Sequence, residues 1–242
     1  YGIAANKLEA LDKINALSMY TGSNANEVLA INDLVKFRIA VINNDDANGT
    51  ATYIHFRAFI DTFSDSYTSN WDSVKYVGRG EELHNYAGFG REISLGWTVY
   101  AQSKAELIPM YKKLNYLAST LAPDYNQAGF MRGNMVRLTL GGYLYEQPGI
   151  IKSLTYSVPM ESTWEIAIDE EGKSDPSVRE LPHMIKVTGV TFVPIQSFIP
   201  ANADDLLDPT QKYISLSNKT GTSNYSDVYA KGKYKQSGAV LD

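Results

Sequence analysis

Hydrophobic and polar residues alternate along residues 91–101 and then recur at three- and four-residue steps from 104 to 121. A period of two places every second side chain on one face of a half-buried strand. The apolar residues of that face are Ile93, Leu95, Trp97, Val99 and Ala101. The second pattern predicts an amphipathic helix, with Lys104, Lys112, Lys113 and Ser119 off its apolar stripe. The stripe itself consists of Leu107, Tyr111, Leu114, Leu117, Ala118 and Leu121.

The predicted helix has its own start and stop signals. Ser103 and Glu106 have the spacing of a capping box, in which the hydroxyl and the carboxylate satisfy each other's backbone N–H groups. Pro123 follows the last apolar position and ends the helix. Pro109 lies inside the pattern and removes one backbone hydrogen bond, so we expect a kink there or a separate first turn.

Strand patterns flank this central unit on both sides. Residues 34–62 alternate around a turn-rich run and predict a β-hairpin. Further strands are predicted at 135–140, 143–147, 150–158 and 184–193, with Pro148-Gly149 as a turn between the second and the third. Residues 63–90 predict either a long loop or an extended hairpin, and long irregular segments are usually functional or interfacial.

The two ends of the chain differ from its middle. Residues 1–33 have apolar residues at helical steps, whereas residues 201–242 are dominated by Asn, Ser, Thr, Gly and Lys. We therefore predict a mainly β (α+β) protein with three parts. These are an N-terminal helical segment over 1–33, a β domain over 34–200 and an extended polar C-terminal tail over 201–242.

Composition narrows the classes of function. The net charge of −5 and the isoelectric point near 5.3 argue against broad binding to nucleic acid or to a membrane surface. The chain has no cysteine, no apolar run long enough to cross a membrane and no signal peptide at its start. Because it begins with Tyr1, we expect sequence to precede it. Its 17 tyrosines fit either an interface or an ordinary β-rich protein.

No pattern of catalytic or metal-binding residues is present in the sequence. The three histidines, His55, His84 and His183, lie far apart and lack the spacing of a zinc site. We expect His55 and His183 to be structural. The acidic runs at 169–171 and 204–205 lie in polar segments and are predicted to be solvated. The sequence therefore predicts no catalytic residue, no cofactor and no metal site.

A resemblance to a known family is carried by the order and spacing of short segments over residues 34 to 198. These segments are Phe37–Ile39, Ile54–Ile60, Tyr76–Arg79, Phe89–Arg91, Ser103–Leu107, Lys113–Leu117, Leu138–Gly141, Pro148–Leu154 and Leu181–His183. In the order and spacing of these segments, the chain resembles the tail-tube-fold proteins of tailed phages and contractile injection systems. Within them it is most similar to tube-initiator and baseplate-hub components.

The resemblance implies an antiparallel β-sandwich or barrel with one flanking α-helix. It implies a structural virion protein of the phage tail, made in the host cytoplasm, whose copies form a ring, hexameric in such families. Neighbouring tail-tube, baseplate or tape-measure proteins would be its partners. DNA would pass through the ring without specific binding, and a net negative charge would keep phosphates from adhering to the wall.

Interface residues are predicted within and just after the 63–90 segment, because Trp, Tyr and Arg concentrate binding energy. They are Trp71, Tyr76, Arg79, Tyr86, Phe89 and Arg91, with local packing as the alternative role of each. Two other classes of function remain open. One is a carbohydrate- or peptidoglycan-binding module that stacks Tyr and Trp on sugars. The other is a glycosidase, which would need two carboxylates facing each other across a cleft.

Overall fold

A computed structural model describes residues 20–21, 37–46, 49–126, 128–141, 143–168, 171–174, 180–195, 235–236 and 239–240. The predicted helix over 1–33 and the predicted tail over 201–242 therefore lie outside the described residues, apart from three two-residue strands. Those strands are β1 (Tyr20–Thr21), β11 (Lys235–Gln236) and β12 (Ala239–Val240). β1 is a strand where the sequence predicted helix and then a break, and it pairs with Tyr53 and Thr52.

The longer strands are β2 (Phe37–Ile42), β3 (Ala51–Phe56), β4 (Ile60–Lys75), β5 (Glu82–Tyr100), β8 (Val136–Leu140), β9 (Leu144–Ser157) and β10 (Met184–Pro194). Together with β1 they form one antiparallel sheet of eight strands, in the order β1-β3-β2-β8-β9-β10-β5-β4. Helix α1 (Lys104–Ser119) follows β5, and β6 (Asp124–Tyr125) pairs with β7 (Met131–Arg132). A mainly antiparallel β fold with one helix is confirmed for the described residues. The tail-tube type of that fold stays a prediction.

The large sheet curls around its own core. The rings of Phe37 on β2 and Trp97 on β5 are T-shaped, with centroids 5.0 Å apart. Their strands are four positions apart in the sheet order, which corresponds to about 19 Å in a flat sheet. Phe56 on β3 joins the same cluster, 5.3 Å from Trp97. The described residues therefore contain one large curled sheet, and the sandwich or barrel form implied by the resemblance stays a prediction.

The helix adds Leu107, Met110, Leu114 and Leu117 to this core, and two expectations about it are wrong. Ser103 is the N-cap residue, but its side chain makes no capping hydrogen bond, and Glu106 accepts from the backbone N–H of Gln102 at 3.0 Å. Lys113 is buried rather than on the solvent side, because its ammonium donates to the carbonyl of His55 at 3.2 Å. The helix also runs without a break through Pro109.

The hairpin predicted over 34–62 is confirmed, with Phe37 opposite Phe56 and Ile42 opposite Ala51. The turn predicted at Pro148-Gly149 is wrong, because β9 continues through both residues. Pro148 still accepts a hydrogen bond through its carbonyl, from the N–H of Ile195 at 2.8 Å. Gly149 lets the strand pass the ring of Phe192, which a Cβ would approach to 2.4 Å.

Candidate interaction site

Strands β4 and β5 form a hairpin that projects from the domain. Their pairing runs from Ile60 opposite Trp97 to Lys75 opposite Glu82, and every residue from 66 to 87 is exposed. We call residues 66–90 the arm. Ten residues from Ser66 to Lys75 span about 30 Å at the rise of an extended strand. Of the two alternatives for residues 63–90, the extended hairpin is therefore confirmed.

A tight turn closes the end of the arm. The N–H of Arg79 donates to the carbonyl of Tyr76 at 3.2 Å, and Gly78 has a φ of 89°. This left-handed conformation at the third turn position is the one that favours glycine. The ion pair between Lys75 and Glu82, 2.8 Å apart, joins the two strands directly before the turn.

One face of the arm is aromatic. From Thr62 onward β4 itself has no extra residue, so its odd-numbered residues share one face. The pairing shifts by one residue between Asn70 and Trp71, where Ala87 is extra on β5, and this shift places Tyr86 opposite Trp71. Trp71 lies opposite Tyr86, with ring centroids 5.1 Å apart, and the ring of Tyr67 lies 6.3 Å from that of Phe89. Trp71 is 58% exposed and Tyr86 50%. From Ser66 to Asp72 the opposite face of β4 carries the small and polar residues Ser66, Thr68, Asn70 and Asp72. Nearer the turn, that face carries Val74, which is exposed and lies opposite Leu83.

An ion pair marks the point where the arm leaves the domain. Asp65 accepts two hydrogen bonds from Arg91, at 2.9 and 2.6 Å, and their side chains are only 5% and 3% exposed. The hydroxyls of Tyr143 and Tyr67 also donate to Asp65, at 2.8 and 3.0 Å. Tyr143, from the β8–β9 connection, packs edge-on against Phe63 at 4.9 Å. We call these five residues the root cluster.

The root cluster holds its charges in fixed protonation states. Burial raises the pKa of Asp65, but the hydrogen bonds from Arg91 and Tyr143 and the charge of Arg91 outweigh it, so this pKa is lowered overall. Burial raises the pKa of Tyr67 to about 12. The positive charge of Arg91 opposes this rise, and the nearby Asp65 carboxylate adds to it. Near neutral pH the acid is thus ionised and the phenols are protonated, which suits a structural clamp rather than proton transfer.

The predicted interface residues lie at three places in the structure. Trp71, Tyr86 and Phe89 lie together along the arm, and Tyr76 and Arg79 lie at its turn, where Arg79 is 3.6 Å from Glu81. Arg91 is buried in the root cluster, so its side chain is not part of the exposed surface. Sequence reasoning missed Asp65, Tyr67 and Tyr143. The spacing of Phe63, Tyr67 and Trp71 by four residues, an even number, was a signal for one face of a strand.

A small pocket of about 200 Å³ lies at the opposite end of the same two strands. The residues that line it are Phe56, Arg57, Phe59, Thr98, Val99, Tyr100 and Gln102. Phe59 is 64% exposed at this pocket, and its ring centroid lies 6.0 Å from the guanidinium carbon of Arg57. The pocket combines an apolar floor with two exposed aromatic rings and a polar rim.

Other candidate chemistry is sparse in the part of the chain that the structure describes. His183 bridges Glu165 and the carbonyl of Ala101, each at 3.1 Å, which are the contacts expected of the structural role predicted for it. No group of three or more His, Asp or Glu residues placed to hold a metal ion occurs within the described ranges. Nor do these ranges include a helix with the length and apolar character needed to cross a membrane.

Comparison with known proteins assigns no family to the chain. A scan of protein-family models and a search of curated proteins found no match to the chain. A functional assignment therefore depends on the chain's own residues, chiefly the arm and the edge of the sheet.

Proposed function

We propose that this chain is a non-enzymatic structural protein that assembles with copies of itself into a ring. The ring would form part of the tail tube or baseplate hub of a tailed phage, around a channel for DNA. The observation that carries this proposal is the arm, a projecting hairpin with an aromatic face that the described residues leave half exposed. Exposed apolar patches of this kind mark interaction sites on soluble proteins.

The edge of the sheet supports assembly between copies. β4 has 16 residues and pairs only with β5 in the sheet that the structure describes. A long edge strand offers unpaired backbone groups to another chain unless it is blunted by proline, charge or a cover. β4 contains no proline, and its charged residues are Asp61, Asp65, Asp72 and, at its end, Lys75. Asp65 is buried in its ion pair with Arg91, so three exposed charges are spread over the 16 residues of the edge. In the proposed ring, β4 of one copy extends the sheet of the next, through an interface that closes by rotation.

The size of the aromatic face fits one part of such an interface. Four aromatic side chains of 150–250 Å² each, about half exposed, leave roughly 400 Å² of ring surface to bury. A stable interface buries about 800 Å² on each partner. The arm therefore supplies about half of that area, and strand pairing along β4 supplies the remainder.

The test is the mass and shape of the purified chain, alone and mixed with tail-tube proteins. Light scattering and electron microscopy should reveal rings or stacks of rings. Replacing Trp71 and Tyr86 by Ser should abolish them, because this pair dominates the aromatic face. The matched control replaces Asp72 and Asn85, the adjacent register pair on the other face, and should assemble normally. A monodisperse monomer at micromolar concentration, with and without tail partners, would overturn the proposal.

A second function is favoured by the same exposed Trp71–Tyr86 pair. Exposed Trp and Tyr faces can stack on sugar rings, so a carbohydrate- or peptidoglycan-binding module remains the alternative. Binding on a glycan array that is lost with Trp71→Ser, from a chain that forms no ring, would favour it over assembly. The pocket lined by Phe59 and Tyr100 has no carboxylate among its lining residues and supplies no acid pair for a glycosidase.

A further inference from the structure

The arm tip and the small pocket lie at opposite ends of the same pair of strands. Register pairs run from Ile60 opposite Trp97, beside the pocket, to Lys75 opposite Glu82, beside the tip. The 15 steps of β4 between them correspond to about 50 Å of extended strand. The tip therefore cannot reach the pocket of its own chain. A second copy displaced along the strand direction brings its tip to the pocket of the first.

The pocket has the size of one aromatic side chain. Its volume is about 200 Å³, whereas pockets for small-molecule ligands and cofactors span about 300–1,000 Å³. An apolar cavity of about 150 Å³ holds a single benzene ring. Its lining combines the apolar Phe56 and Val99 with the polar Thr98 and the exposed Gln102, and the Thr98 hydroxyl donates to Asp61 at 2.6 Å. Such a mixed lining suits a tyrosine, which combines an apolar ring with a polar hydroxyl.

Tyr76 is the aromatic residue that the arm presents at its tip. It directly precedes the turn and is 58% exposed, and the next residue, Val77, is fully exposed. Trp71, by contrast, lies further back and packs against Tyr86. The turn hydrogen bond between Tyr76 and Arg79 and the Lys75–Glu82 ion pair hold the backbone at the tip.

We propose that Tyr76 of one copy inserts into the pocket between Phe59 and Tyr100 of a second copy, in a head-to-tail contact. This inference rests on the proposed assembly function and names the partner of the arm. The guanidinium of Arg57, already next to Phe59, gains a second ring on insertion, which is a favourable cation–π arrangement. Because tip and pocket are different surfaces, the contact is heterologous and repeats from copy to copy. It therefore links copies in series rather than closing a two-fold dimer.

The lack of cysteine in the chain allows a direct test by disulfide trapping. Val77→Cys at the tip and Gln102→Cys at the pocket rim leave Tyr76, Phe59 and Tyr100 intact. Two differently tagged full chains, each with one of these changes, are mixed under mild oxidation. A disulfide requires Cα atoms within about 7 Å, so we expect a mixed dimer on a non-reducing gel. A chain with both changes should give a ladder of oligomers.

Two control variants test whether disulfide trapping depends on the proposed contact. Met160→Cys is fully exposed on the β9–β10 connection and replaces the rim cysteine in a matched mixture. It should trap at least tenfold less than Gln102→Cys. Adding Tyr76→Ala to the Val77→Cys chain should reduce trapping to that same background, since the anchoring ring is gone.

The outcomes separate the two proposals. If the copies associate by light scattering but the rim cysteine traps no more than Met160→Cys, the assembly function stands and the pocket contact is wrong. If the copies neither associate nor cross-link, with and without tail-tube proteins, both are wrong. Trapping that survives Tyr76→Ala would show that the tip approaches the rim without inserting this ring, and would also overturn the inference.

Discussion

Arg91 and Asp65 form a two-pronged ion pair, with Nε and Nη2 of Arg91 at 2.9 and 2.6 Å from the carboxylate, where the arm leaves the domain. Directly inward on β5, Ile93 and Leu95 are buried in the core, and directly outward the arm is exposed. The pair thus closes the core at the base of a projecting hairpin. Because two strands and the β8–β9 connection meet there, it also fixes the direction in which the arm projects.

Replacing Asp65 by Asn should destabilise the domain by about 3–5 kcal/mol, since it leaves the buried Arg91 charge without its partner. The folded pKa of Asp65 is lowered from its usual value, so its stabilising effect is complete above the unfolded value of about 3.9. It is lost as the pH falls through the folded pKa. Urea denaturation at pH 7 and at pH 3 should show a smaller difference for Asp65→Asn than for the parent chain. Asp72→Asn, exposed on the arm, should change stability by less than about 0.5 kcal/mol.

Tyr143→Phe should loosen the arm with a smaller loss of stability. The change removes the hydrogen bond to Asp65 but keeps the ring contact with Phe63. A hydrogen bond to a charged group contributes about 1.5–3 kcal/mol. Hydrogen exchange of the arm amides should accelerate relative to the amides of β2. Tyr125→Phe, an exposed tyrosine on β6, is the control. Equal exchange rates in Tyr143→Phe and the parent chain would contradict the bracing role of Tyr143.

Substitutions of Arg38 and Glu146, which form an ion pair, should have strongly non-additive effects on the free energy of unfolding. Arg38 is buried, its Nε and Nη1 have no hydrogen-bond partner in the described chain, and Glu146 adopts a left-handed φ of 48°. Glu146→Gly relieves that backbone strain but leaves the guanidinium charge unpaired, so we expect a net loss of about 3–5 kcal/mol. In the Arg38→Met background the same change should cost far less. A double-mutant cycle by urea denaturation measures the difference, and additive losses would contradict the pairing.

Gly149→Ala should be strongly destabilising, because a Cβ there lies 2.4 Å from the backbone carbonyl of Val193 and from the ring of Phe192. A collision with backbone cannot be relieved by a rotamer change, so we expect a loss of about 3 kcal/mol, at the upper end for overpacking. Gly88→Ala is the matched control in a strand, with no atom within 4 Å of its Cβ. Thermal unfolding should separate the two variants by roughly 5 °C or more.

Local signals predicted much of the fold and of the exposed site. The alternation around Ile93 and Leu95, the helix over Lys104–Ser119 and the hairpin over 34–62 follow from periodicity and turn residues. The exposed positions of Trp71 and Tyr86 agree with their selection as interface residues, although their role in binding stays a prediction. The turn predicted at Pro148-Gly149 is wrong, although a proline followed by a glycine favours a turn locally. Here an aromatic ring on β10 requires the glycine inside a continuous strand instead.

The sequence by itself determined the predominance of strands, the position of the helix and the turn of the hairpin over 34–62, since these depend on neighbours only a few residues away. Only the tertiary structure decided which charged residues are buried. Arg38 meets Glu146 across 108 residues, and Lys113 meets the carbonyl of His55 across 58. The arm was decided in the same way. The alternation of side chains along β4 and β5 is the same where these strands pack on the core and where they project into solvent. The sequence of the two strands therefore does not show where the projection begins, which depends on where the other strands of the sheet end.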